Sequence, residues 1–493
     1  MHLRSVLVLA VSAALSGVTT AAPLADELVK ARDTTVKIDA KSNWGTWEGW
    51  GISLAWWAKA FGNRDDLADI FFTTKSVSFG GQNLPGLGFN IARHNAGASS
   101  WDTYKNDKMV ASPNIKRSRQ IEGHWIDWAS TDPSSSSWDW SVDVNQRAML
   151  KKAQSRGANH LELFSNSPMW WMCKNHNPSG ASDGSENIQS WNLGDHAVYM
   201  AAVAKYAKDN WGINFESVDP FNEPSADWWK ADGTQEGSHV SIATQATIIK
   251  NLRAELDTRG LQSTVIAAAD ESYYDQATAA AQGWGSEALS KVARINVHGY
   301  QYGNGKRDKL LAVAQDNGKR LWQSEYGEND ATGGRLASNL LLDFRWMRPT
   351  AWVYWQAIDG GGWGLIDGNN DDVSLGSPGQ KYFVLAQYSR HIREGMRILD
   401  GGGGSTIAAH DAATGKLVVV HYNSGAAQTI SFDLAGFAAR PAAGTKVPRW
   451  RTAATTGGDR YVRDEGAEIV GTTLRSAFGA NTVQTFEIEG VKL

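Results

Sequence analysis

Two glutamates stand where carboxyl chemistry is feasible. Glu223 sits in VDPFNEPS and Glu325 in RLWQSEYG, each at the tail of a short apolar run. Two carboxyl groups held about 5 to 5.5 Å apart can split a glycosidic bond by double displacement, one attacking the anomeric carbon while the other protonates the departing oxygen. Singly, each is an ordinary residue, because Glu is mostly solvated and an Asn-Glu-Pro string can merely cap a helix. As a pair the expected roles are Glu223 as general acid/base and Glu325 as nucleophile.

Their neighbours would give the two carboxyls different environments. Asn222 offers an amide to a sugar 2-hydroxyl, or closes an Asx turn. Arg93, in NIARHN, is a cation suited to holding a nucleophile ionised, or one half of a surface ion pair. Tyr300, in VHGYQY, can donate to Glu325, and His298 in the same string is either a site residue or a core histidine with satisfied nitrogens. Asp270 and Glu271, in AAADESYYD, are rival carboxylates; they have no Asn partner and adjoin one another, which assigns them to loop support. For the flat faces of a sugar the candidates are Trp355 in VYWQAIDGGG, Trp56 and Trp57, and Trp170 and Trp171 in SNSPMWWM, each with core packing as its alternative. Trp355 is the strongest of these.

These residues need a scaffold that brings strand ends together. Short apolar runs alternate with segments of helical period from about Thr46 to Gln356, as in repeated βα units. Candidate strands fall at 46–51, 88–93, 160–165, 215–220, 263–269, 294–298, 320–324 and 350–355. The segment SIATQATIIKNLRAELDTRG ends in Gly260, a suitable helix C-cap, and GRLASNLLLDFRWM stops at Pro349. Eight units imply a closed (β/α)8 barrel with its active site on the loops after the strands, where strands four and seven face each other across the mouth. After about Arg390 the pattern changes to short β-rich runs with Gly and Asn turns, which reads as an antiparallel β-sandwich. The expected organisation is therefore a signal peptide at 1–22, a segment at 23–43 whose strand at Thr34–Ala40 joins the sandwich, a barrel at 44–389 and a β-sandwich at 390–493.

Composition narrows the ligand. The chain has 493 residues, a formal net charge of −4 and no long Lys/Arg run, so neither nucleic acid nor an anionic membrane is an expected partner. It carries 23 Trp, a surplus that suits a large core or a carbohydrate site. Residues 1–22 have a basic start, a short apolar run and small residues at the end, the pattern of a secretory signal; the mature chain is expected to be extracellular. The single cysteine, Cys173, excludes an internal disulfide. Cys173 and His176 lack a second ligand pair for zinc, the Gly-rich stretches lack a phosphate-loop ending, and no G-x-S-x-G elbow occurs. No metal or cofactor is expected.

The set GWG, Arg93, Asn222-Glu223-Pro224, Glu325 in SEYG and Trp355 in VYWQ resembles glycoside hydrolase family 30 of clan A, over nearly the whole mature chain. Within it, PFNEPSADWWKADGTQEG, VHGYQYG and YWQAIDGGGWGLI resemble the fungal endo-β-1,6-galactanases. The resemblance implies a barrel with an attached sandwich, retaining hydrolysis by Glu223 and Glu325 without metal or cofactor, and action on β-1,6-galactan side chains of arabinogalactan proteins; the chain is expected to be a monomer. There are departures: Asn166 stands where many members carry a Trp, and Ser100 near where they carry an acid. Asn166 would then meet the axial 4-hydroxyl of galactose. Two other readings stay open, a related retaining hydrolase acting on β-1,6-glucan, xylan or β-glucosides, and a non-catalytic sugar-binding barrel.

Overall fold

The computed structural model describes residues 33–493. The expected signal peptide, and residues 23–32 after it, lie outside the described residues. Eight parallel strands close into a barrel. They are β1 (Gly49–Ser53), β2 (Ile91–Asn95), β3 (His160–Phe164), β4 (Ser217–Asp219), β5 (Val265–Glu271), β6 (Val292–His298), β7 (Arg320–Tyr326) and β8 (Ala351–Gln356). Parallel strands covered by helices are buried on both faces and read as apolar runs rather than alternations; every residue of AWVYWQ in β8 is buried. The GWG string has a packing cause. A Cβ on Gly51 would come within 2.6 Å of Ile91 Cβ on the neighbouring strand, so only glycine lets β1 lie against β2.

Helices follow the strands as the 3.6-residue period requires. Ser241 caps Ile242–Thr258 by accepting from the Thr244 N–H, and Gly260 leaves the helix with φ 72°, a left-handed turn that glycine adopts freely. The helix Gly334–Leu342 runs into a π-turn at Asp343–Met347 before Pro349. No helix among the described residues is long and apolar enough to cross a membrane.

The second unit is one nine-stranded sheet. Its strands include β9 (Arg397–Leu399), β10 (Thr406–Asp411), β11 (Lys416–Asn423) and β12 (Gln428–Asp433). The N-terminal strand Asp33–Lys37 lies parallel to β12 at one edge, and the other pairings are antiparallel. Four strands separate β11 from β12 in the sheet order, yet the rings of His421 and Phe432 from these two strands meet at 5.6 Å. The sheet therefore folds over on itself around a core that includes Ile430, Phe432 and Phe486, which gives the two layers of a sandwich. Between barrel and sheet lies the helix Gln380–Ser389, buried along its whole length, as expected of a helix enclosed on all sides. Gln387 fastens it to the sheet by donating to Thr452 Oγ1 (2.7 Å) and accepting from Thr485 Oγ1 (2.6 Å).

Candidate active site

Glu325 lies inside β7, and Glu223 in the loop beyond β4. Round the barrel these strands are separated by β5 and β6 and are not diametrically opposed, which corrects the expectation of a pair facing across the mouth. The end of β6 fills the gap with His298. Its Nδ1 lies 3.1 Å from Glu223 Oε1 and 3.4 Å from Glu325 Oε1, and one oxygen from each carboxylate lies within 4.8 Å of the other. So close an approach suits the roughly 5 to 5.5 Å of a double-displacement pair and not the roughly 6.5 to 9.5 Å that leaves room for a water. Among the described residues this is the one grouping of acid and imidazole ligands with metal-like geometry, but the imidazole contacts both carboxylates itself.

Burial alone would strip His298 of its proton; the carboxylates of Glu325, Asp270 and Glu223 outweigh it and lift the pKa to about 10. The ring is thus an imidazolium at neutral pH. Fully buried, it faces carboxylates and not the cleft, which corrects its expectation as a sugar contact. Tyr300 donates to Glu325 Oε1 at 2.8 Å. Burial pushes Glu325 up to about 7, with the Glu223 charge adding to the rise; His298, Arg93 and Tyr300 oppose it without overcoming it. A nearby cation does not bring this carboxyl below its ordinary range, contrary to the expectation from sequence.

Arg93 is no surface ion pair. It is fully buried, with Nε donating to Glu162 Oε1 (2.8 Å), Nη1 to the Ser324 carbonyl (3.0 Å) and to Glu325 Oε2 (3.5 Å), and Nη2 to Asp270. It supports Glu325 from below and is not part of the cleft lining. Burial works against the charge of Asp270, yet Arg93 and His298 pull its pKa down to about 2. Asp270 is therefore part of the charge network under the site, a closer role than loop support. Glu162 continues this network to Arg294, Ser217 and Asn296 inside the barrel.

Above the carboxylates opens a cleft of about 640 Å³, lined by both glutamates, Asn222, Tyr300, Trp56 and Trp355. Asn222 Oδ1 is buried without a protein donor. The Trp56 and Trp355 rings meet edge to face at 5.0 Å, and the Arg119 guanidinium lies 4.4 Å over Trp56. Gly327, just past β7, admits Trp355 and Trp363, since a Cβ there would approach them to 3.4 and 3.3 Å.

Four expected sugar contacts lie elsewhere. Trp57 is core: its Nε1 donates to the Ser53 carbonyl (2.7 Å) and its ring packs on Phe71. Trp170 is also fully buried, edge-on to His176 at 5.3 Å, because the strand-three loop turns it inward; Trp171 donates to the Trp125 carbonyl. Asn166 points into a small cavity behind Asn222, its backbone N–H held by Asn95 Oδ1 at 3.2 Å, and does not line the cleft. Cys173 is buried and its thiol is pushed up to about 12 by that burial. Residues that sequence reasoning passed over include Trp228, Trp229, Tyr273, Tyr302, Trp363 and Arg119, all on the cleft wall. The signal for the first two was their place just after Glu223.

Residues 33–291 match the family described as O-Glycosyl hydrolase family 30. The chain belongs to glycoside hydrolase family 30. It is 58% identical over 461 residues to an endo-beta-1,6-galactanase of Hypocrea rufa, covering 94% of this chain and 96% of that one. An exo-beta-1,6-galactobiohydrolase of Bifidobacterium longum is 23% identical over 76% of this chain and 31% of its own length. Among solved structures, a conserved exported protein from Bacteroides fragilis superposes on this family 30 chain with a TM-score of 0.75 at 18% identity, over 92% of this chain and 100% of that one. The catalytic domain of a family 30 xylanase C from Talaromyces cellulolyticus gives 0.66 at 20% identity, over 92% and 99%. At such identities these two structures bear on the fold alone.

Proposed function

We propose that this chain is a secreted, retaining endo-β-1,6-galactanase that works as a monomer, without metal or cofactor, on the galactan side chains of arabinogalactan proteins. The observation that carries the substrate is the 58% identity to the Hypocrea rufa endo-beta-1,6-galactanase across nearly all of both chains. The 58% identity favours this reading over the related hydrolases of the family, and the two close carboxylates turned to one cleft favour it over a non-catalytic barrel. Secretion rests on the pattern of residues 1–22.

Glu325 attacks the anomeric carbon while Glu223 gives its proton to the glycosidic oxygen; a covalent glycosyl-enzyme forms, and Glu223 then deprotonates the water that releases it. The roles follow from what surrounds each group. Donors converge on Glu325 from Tyr300, His298 and Arg93, the arrangement that stabilises a carboxylate anion and the charge returned to it when the sugar departs. Asn222 binds the sugar 2-hydroxyl, a role supported by its position on the cleft wall beside Glu223 and by its Oδ1, which has no protein donor.

The test is incubation with de-arabinosylated arabinogalactan, β-1,6-glucan and xylan. Release of galactose oligomers from the first is expected, and its absence would overturn the substrate.

A further inference from the structure

Glu223 has a left-handed backbone, with φ 48°, uncommon for a residue of its size. Such a conformation persists where its surroundings over-determine it. The Glu223 N–H donates to the Asp270 carbonyl at 2.7 Å. Its own carbonyl accepts from the Ala226 N–H (3.0 Å) and from Trp229 Nε1 (2.9 Å). Two residues on, Ser225 donates its N–H to Glu271 Oε2 (3.1 Å) and its hydroxyl to Glu271 Oε1 (2.6 Å). Gln245 Nε2 donates to the same Oε1 at 3.2 Å. Glu271 is fully buried, outside the cleft lining, and adjoins Asp270 at the end of β5. The end of β5 thus grips the Glu223 loop twice, by backbone at residue 223 and by a side chain at 225.

We infer that Glu271 is a positioning residue for the general acid, fixing through Ser225 the turn that aims the Glu223 carboxyl at the glycosidic oxygen. This rests on the assignment of Glu223 as acid/base. Burial lifts the Glu271 carboxyl to about 7, and the three contacts from the Ser225 N–H, the Ser225 hydroxyl and Gln245 work against that rise; two carboxylate oxygens accept all three, whereas an amide offers a single accepting oxygen. In Glu271→Gln the amide NH2 faces a donor in either orientation, the Ser225 N–H or Gln245 Nε2, so one of the three bonds is lost and the anchor of the turn is loosened while the cleft lining is unaltered.

The test compares kcat/KM on β-1,6-galactan, whose leaving group needs a proton, with that on 2,4-dinitrophenyl β-1,6-galactobioside, whose leaving group does not. Glu271→Gln is expected to lose about 10- to 100-fold on the galactan and about threefold or less on the aryl glycoside. An equal loss on both substrates, or no loss on either, overturns the inference. If Glu271→Gln does not fold, Ser225→Ala removes the hydroxyl bond alone and is expected to show a smaller loss with the same selectivity; an unselective loss, or none, overturns the inference there too. Wild-type enzyme inert on both substrates overturns the proposed galactanase reading on which this inference rests, whereas wild-type turnover with an unselective variant overturns this inference alone.

Discussion

Tyr300 donates its phenolic hydrogen to Glu325 Oε1 across 2.8 Å from the loop just past β6. When the glycosyl-enzyme breaks down, negative charge returns to that carboxylate, and the hydroxyl is already in place to receive it. A hydrogen bond to a charged group contributes about 1.5 to 3 kcal/mol. Tyr300→Phe is therefore expected to lower kcat by about 10- to 100-fold and to let the covalent intermediate accumulate, seen by mass spectrometry after a rapid quench. An unchanged kcat would remove Tyr300 from the machinery.

The two glutamates make separable predictions. Glu325→Gln abolishes turnover of every glycoside, because an amide cannot attack to form the covalent glycosyl-enzyme. Glu223→Ala still cleaves activated aryl glycosides slowly, since a good leaving group needs little acid help. Azide then accelerates it by taking the position of the activated water, and the product is the β-glycosyl azide. NMR of that product decides the assignment: an α-configured azide exchanges the two roles.

Acid inactivation follows from the raised carboxyl. Glu325 must be ionised to attack, and burial sets its pKa to about 7, so kcat/KM is expected to fall about tenfold per unit as pH drops below that value. The His298 imidazolium opposes this rise. Replacing it in His298→Phe removes a favourable charge beside the carboxylate, and the acidic limb moves to higher pH. A limb that stays put or moves down in the pH profile contradicts the electrostatic role of His298.

What sequence made legible was what periodicity and strand ends encode. The run expected at 160–165 forms His160–Phe164, and the run at 320–324 forms Arg320–Tyr326, because fully buried parallel strands announce themselves as apolar stretches. The carboxylate pair followed from those ends. The destination of each indole was not legible: Trp56 and Trp57 are consecutive, yet one lines the cleft and the other lies in the core. Loop path decides this, and loop path depends on distant partners such as Gln356, which accepts from the Trp56 N–H at 3.3 Å. Nor was the charge of His298 legible, since it arises from carboxylates on three other segments of chain.

That contrast between tryptophans is itself testable. Trp228 sits on the cleft wall, 39% exposed, on the loop that carries Glu223, with its ring 5.8 Å from Tyr273. Because Glu223 serves the departing sugar, an indole beside it stacks on the leaving-group side of the cleft. Trp228→Ala is expected to raise KM for galactan oligomers about tenfold, equivalent to ~1.4 kcal/mol, with little change in Tm. Trp57 makes no contact with the cleft, and its ring is wholly enclosed beside Phe71. Trp57→Ala opens a cavity and is expected to cost about 3 to 5 kcal/mol of stability, lowering Tm while the folded fraction keeps its KM. Thermal melts and initial rates on the two variants separate the roles. A Trp57→Ala enzyme with wild-type Tm and raised KM would return that residue to the sugar site.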